Sequence, residues 1–189
     1  MKKRIITIAG YPGSGKSSAA KGVALALGYR HFSSGDLFRK MAAERGLSVE
    51  EMNITAEKQQ EVDRAVDKLL VEQGERENDL VIDSRMAFHW IPDSFKVFLD
   101  LDPKIAAERT FAHIQSGERK SQAAASADEV YAKTEERVES ERKRYMALYA
   151  VDPADKKQFD LIVNTAMNDS EGVVKIIRTA YEEWLHAAN

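Results

Sequence analysis

The chain has 189 residues, 43% hydrophobic and 31% charged, with a net charge of −3. That size and balance fit an ordinary globular domain with its own core and exclude a disordered chain. The absence of cysteine excludes disulfides, thiol catalysis and cysteine-held metals, and the slight acidity offers no general basic surface for nucleic acid.

Met1-Lys2-Lys3-Arg4 leads into an apolar stretch of only about five residues, too short for the core of a signal peptide. No run reaches the length of a bilayer span. We therefore expect a cytoplasmic, monomeric protein without nucleic-acid or membrane partners. Residues 4–9 read as a buried strand. Gly10-Tyr11-Pro12-Gly13-Ser14-Gly15-Lys16-Ser17 follows and matches G-x-x-x-x-G-K-[ST]. At average residue usage this pattern arises by chance in roughly one chain in a hundred of this size; a strand before it and a helix after it make it rarer. The glycines let backbone N–H groups approach phosphate oxygens, and the start of the next helix adds partial positive charge. The expected ATP-binding residues are Gly10 to Ser17 together with Ser18. Lys16 would neutralise the β- and γ-phosphates, and Ser17 would ligate Mg²⁺. A turn that merely tolerates glycines leaves Lys16 unexplained.

Helical spacing of Ala19, Val23, Ala24 and Leu27 predicts a helix over 16–27, closed by Gly28. Residues 30–33 read as a short strand and 35–45 as a helix. Ser48-Val49-Glu50-Glu51 has the form of a capping box, and a longer helix is expected over 55–73. Residues 80–82 and 95–99 read as buried strands ending in Asp83 and Asp100, and Pro103 suits the first turn of another helix. The small, polar stretch 116–128 is the expected mobile segment. A charged helix over 127–149, a strand over 159–163 and a last helix capped by Asp169 or Ser170 complete the chain. This alternation predicts an α/β fold, a parallel sheet covered on both faces, with ligands beyond the carboxyl ends of its strands.

Three further segments bear on chemistry. Ser34-Gly35-Asp36-Leu37-Phe38-Arg39 pairs a hydroxyl and an arginine suited to forking onto a phosphate, although Ser34 or Asp36 as a helix cap with a solvated Arg39 gives the same pattern. Asp83-Ser84-Arg85 ends a strand where an ordinary turn is also expected. Arg137 and Arg144 lie seven apart on one helix face, where they could neutralise a migrating phosphoryl group. Charge pattern alone favours a salt-bridged surface there, with Glu139–Lys143 as an attractive pair. Arg142 points elsewhere. The guanine motif Asn-Lys-x-Asp is absent.

These segments occur in the order seen in P-loop nucleoside monophosphate kinases. Together with Glu61-Val-Asp-Arg-Ala-Val-Asp67, Ser140-Glu-Arg-Lys-Arg-Tyr145 and Phe159-Asp-Leu-Ile-Val-Asn-Thr165, they make the chain resemble the short, archaeal type of cytidylate kinase. The resemblance implies a three-layer α/β/α sandwich with about five parallel strands. It also implies a single domain: a core over about 1–33, 79–115 and 150–189, acceptor-binding helices over 34–78 and a mobile lid over 116–149. It implies transfer of the ATP γ-phosphoryl group to CMP, and to dCMP, with Mg²⁺. The acceptor would be held by Ser34, Arg39, Asp83 and Arg85. Asp83 would support Mg²⁺ through water, and Lys16, Arg137 and Arg144 would act on the transferring group. Asn164-Thr165 would border the adenine, or simply form a loop and helix cap. Many short-type members carry threonine at the position of Lys16 and a glycine is usual at that of Ser84. Met86, His89, Trp90, Asp63 and Arg64 are the candidates for contacting the base, with His89 and Trp90 weighted towards packing. Two rivals stay open: a small kinase acting on another acceptor, and an ATP-binding switch that transfers nothing.

Overall fold

The computed structural model describes residues 3–117 and 124–187; part of the expected mobile segment, 118–123, lies outside them. Five strands form one sheet: β1 (Ile5–Gly10), β2 (Arg30–Ser33), β3 (Leu80–Asp83), β4 (Phe95–Asp100) and β5 (Leu161–Asn164). Their order is β2-β3-β1-β4-β5, and every pairing is parallel. Parallel neighbours need crossovers, which the helices supply: α1 (Lys16–Leu27), α2 (Ser34–Glu44), α3 (Val49–Lys58), α4 (Glu61–Arg76), the single turn α5 (Ala87–Trp90), α6 (Pro103–Gln115), α7 (Ala127–Tyr149) and α8 (Ser170–His186).

Side-chain alternation along the strands feeds core clusters on both faces of the sheet. Ile6, Ile8, Val81, Val97 and Leu99 pack with Ala20 and Val23 of α1 and Val173, Ile177 and Tyr181 of α8. Their neighbours Ile5, Leu80 and Ile82 turn the other way, onto Leu70 of α4 and Ala87 of α5. Because both faces are covered, β1 is buried along its whole length and reads as a continuous apolar run rather than an alternating one.

The connection from β2 to β3 carries α2, α3 and α4 and has a small core of its own: Ala42, Met52, Ala56 and Val62. Here the structure corrects the expected helix over 55–73. The chain breaks at Gln59, whose backbone is extended, and two helices meet at that core. Residues 57–61 are all polar, so leaving the helix there exposes nothing apolar, while Met52 and Val62 can then converge from separate helices. The Ser48–Glu51 capping box is present in both directions. The last strand starts two residues later than expected, because Phe159 packs against Phe88 and Phe98 instead of entering the ladder.

Candidate active site

All the chemistry gathers at the carboxyl edge of the sheet. The loop from Gly10 to Gly15 turns sharply there. Gly10 has φ 144°, and a Cβ on it would lie 2.4 Å from the Leu99 carbonyl oxygen, so no other residue fits. Gly13, at φ 87°, is crowded in the same way against Ala106 and Thr110 of α6. Gly15 opens α1 in the left-handed region with no side-chain cap, so the first amides of that helix are not engaged by a capping side chain. Lys16 Nζ donates to the carbonyls of Gly10 and Tyr11, both at 2.9 Å, and so folds over the loop. Ser14 Oγ is buried without a hydrogen-bond partner among the described residues.

Asp83 ends β3 beside this loop and is 4% exposed. His31 Nε2 lies 2.7 Å from its Oδ2, and Ser33 Oγ donates to Oδ1 at 2.9 Å. Ser17 Oγ lies 3.5 Å from the same Oδ1. Ser33, not Ser34, caps α2 by accepting from the Asp36 amide, and one hydroxyl thus ties the helix start to Asp83. Ser34 Oγ instead donates to the Asp83 carbonyl at 3.4 Å. The usual glycine position is filled by Ser84 without strain. Its φ is not positive, its amide donates to Ile8, and its Oγ accepts from Met86.

The arginines come with carboxylates. Arg39 pairs with Asp36. Arg144 Nε donates to Asp63 Oδ2 at 2.9 Å, and its Nη1 donates to Ser140. Arg85 and Arg137 both pair with Glu141, which is 4% exposed. Burial works against the charge on Arg85 and on Arg137. Asp67, one turn beyond Asp63 on α4, accepts from the Trp90 indole and the Tyr149 hydroxyl. Its carboxyl is nevertheless pushed up to about 6, chiefly by burial.

One cavity of about 270 Å³ is lined by Pro12, Gly13, Gly15, Lys16, Ser17, Ser18, Ser34, Arg39, Asp83, Arg85, Arg137 and Arg144. These predicted site residues, separated by up to about 130 positions, are brought together. Three loop residues do not line it: Gly10 and Ser14 lie beneath, and Tyr11 turns to α7, where its hydroxyl donates to Glu135 at 2.6 Å. Of the base candidates, Met86 and Asp63 reach the cavity. His89 stacks on Tyr149 and Trp90 meets both rings edge-on, and Arg64 binds Gln60 at the surface. Arg142 points away to Asp152. Asn164 and Thr165 make loop contacts: the Asn164 side chain accepts from the Ala166 amide, and Arg109 donates to the Thr165 carbonyl. Sequence reading missed Glu141 and Asp67. Their spacing carried a signal, since Glu141 is four residues from Arg137 and three from Arg144, and Asp67 is four from Asp63.

A phosphate-sized loop facing four arginines can hold two anionic groups end to end and neutralise charge between them. The AAA domain family (AAA_17) matches residues 9–144. The chain is 38% identical to a cytidylate kinase of Natronomonas pharaonis over 93% of this chain and 88% of the relative. It is 36% identical to a cytidylate kinase of Archaeoglobus fulgidus, over 94% of both chains. The crystal structure of a gluconokinase from Sinorhizobium meliloti shares the fold, with a TM-score of 0.62 at 16% identity, covering 100% of this chain and 97% of that one. Sequence identity at the level of the two archaeal relatives, sustained over nearly the whole length, goes beyond a common P-loop kinase fold: the chain belongs to the cytidylate kinase family.

Proposed function

We propose that this protein transfers the γ-phosphoryl group of ATP to the phosphate of CMP, and of dCMP, giving ADP and the cytidine diphosphate. The observation that carries the reading is the convergence of the glycine loop and four arginines on one cavity, joined to relatives named cytidylate kinase. An oxygen of the acceptor phosphate attacks the γ-phosphorus, and the bond to the β–γ bridging oxygen breaks. The acceptor is already an anion, so no strong base and no covalent enzyme intermediate are needed.

The loop amides and Lys16 hold the donor phosphates. Arg39 and Arg85 hold the acceptor phosphate, with Ser34 beside it. Arg137 and Arg144 neutralise the group in transit. Mg²⁺ fits the residues present: Ser17 Oγ and Asp83 Oδ1 are hard oxygen donors 3.5 Å apart at the loop mouth. An ion that keeps several waters and leans on phosphates needs few protein ligands. When bound with ATP, Mg²⁺ offsets phosphate charge. Asp63 and Asp67, buried and lining the cavity, suit cytosine. A carboxylate accepts from the exocyclic amine and repels the oxygen that uracil carries there. Helices 34–78 then serve the acceptor, segment 116–149 forms the lid, and the rest is core of a single domain. A monomer acting in the cytoplasm, without nucleic acid or membrane, completes the reading; among the described residues no helix is long and apolar enough to cross a membrane.

The test is ADP release over a panel of acceptors. CMP and dCMP should stimulate turnover well above UMP, AMP and shikimate. Arg39→Ala and Arg85→Ala should each lower kcat/KM for CMP by about 10². A protein that binds ATP but responds to no acceptor is a switch, and one that prefers AMP or a non-nucleotide is a different kinase.

A further inference from the structure

Glu141 is an acidic side chain 4% exposed in the middle of a highly charged helix. Buried carboxylates are retained only with partners. Its partners come from two different parts of the fold. Arg137 lies one turn earlier on α7 and donates through Nε to Oε1 at 2.8 Å. Arg85 follows β3, on the acceptor side of the cavity. A bond through Nε leaves the terminal amino groups of Arg137 available for a ligand. Both arginines and Glu141 line the same cavity. Left to themselves, two half-buried guanidinium groups repel: partial burial and then Arg137 both act against the charged form of Arg85. The Glu141 carboxylate between them offsets that repulsion before any substrate phosphate arrives.

We infer that Glu141 is a positioning residue that holds Arg85 and Arg137 as one preorganised pair, so that the acceptor-holding and the transfer-neutralising arginines are set against each other. This rests on the phosphoryl-transfer reading above. Glu141 touches neither substrate and acts through the two guanidinium groups. A glutamine keeps the shape but loses the charge that both arginines face. An aspartate keeps the charge with a shorter reach.

The experiment is steady-state kinetics with ATP and CMP for wild type, E141Q, E141D, R137A and R137A/E141Q, with thermal melts giving the folded fraction used to correct kcat. E141Q should lower kcat by about 10², with KM for ATP within about threefold, because the donor loop is untouched. E141D should recover at least about tenfold of that loss. In the R137A background the same E141Q change should cost about tenfold or less, since one of the two groups it acts through is gone. The inference is overturned by a corrected kcat for E141Q within about threefold of wild type. It is equally overturned by a full 10² loss persisting in the R137A background, or by E141D being no better than E141Q. A wild-type protein that phosphorylates no acceptor overturns the functional reading instead, which keeps the two failures apart.

Discussion

If Asp67 reads cytosine as proposed, stability and specificity pull against each other at this residue. Burial, and to a lesser degree the neighbouring Asp63, raise its carboxyl to about 6, although Tyr149 and Trp90 donate hydrogen bonds that favour the ionised form. The folded value therefore lies above the unfolded one. The stability this group contributes is fully present below about 4, falls as pH rises through 6, and is gone above it. Asp67→Asn removes the titration. Relative to wild type, the variant should gain about 1–3 kcal/mol between pH 4 and pH 7.5, read from urea unfolding at the two values. The same change should cost function: wild-type KM for CMP should rise below pH 6 as the amine acceptor is protonated, while the variant's KM is flat and its preference for CMP over UMP largely lost. A stability difference that does not move with pH would assign the titration to another group. Asp67 and Glu141 were hard to read in the sequence because an acid on a charged helix is usually solvated; only the fold turns these two inwards. The glycine loop was legible because its glycines answer to backbone geometry, as at Gly10 against Leu99.

At the scale of elements, α7 was legible from end to end. Its start is set by Ser126, whose side chain accepts from the Glu129 amide, and its end by Ala150. Ala150 is exposed and left-handed, at φ 55° and ψ 33°, a conformation that costs an L-residue with a Cβ about 1–2 kcal/mol. Ala150→Gly should therefore stabilise the protein by about 1 kcal/mol, after allowing for the greater freedom of glycine in the unfolded chain. Chemical denaturation measures it, and kcat should not change, because residue 150 lies off the cavity. A destabilised variant would mean that the alanine methyl packs more than its exposure implies. The break between α3 and α4 was less legible than α7. Periodicity registers apolar spacing, and residues 57–61 contribute none, so a continuous helix and two short ones carry the same pattern. What selects the two helices is the shared core of Ala42, Met52, Ala56 and Val62, a tertiary cause.

At the scale of the molecule, α7 is the element that ties several parts of the site together. Tyr11 of the glycine loop bonds Glu135, Arg85 behind β3 pairs with Glu141, Asp63 of α4 pairs with Arg144, and Glu57 of α3 accepts from Ser140. A second cavity of about 530 Å³ runs between α3, α6 and α7 and shares Pro12, Gly13, Asn53 and Arg137 with the first. The glycine loop and Arg85 are thus both tied to one helix. An element biased by both sites couples them, and the coupling must be reciprocal. A non-hydrolysable ATP analogue should therefore bind about fivefold tighter or better when CMP saturates its site, and CMP should gain by the same factor from the analogue. Isothermal titration in both orders measures the two factors. Tyr11→Phe removes the loop's bond to α7 while leaving the glycines and Lys16 in place, so it should shrink the coupling more than it weakens the analogue alone. Equal affinities with and without CMP in the wild type would mean that α7 holds the arginines without linking the two substrates.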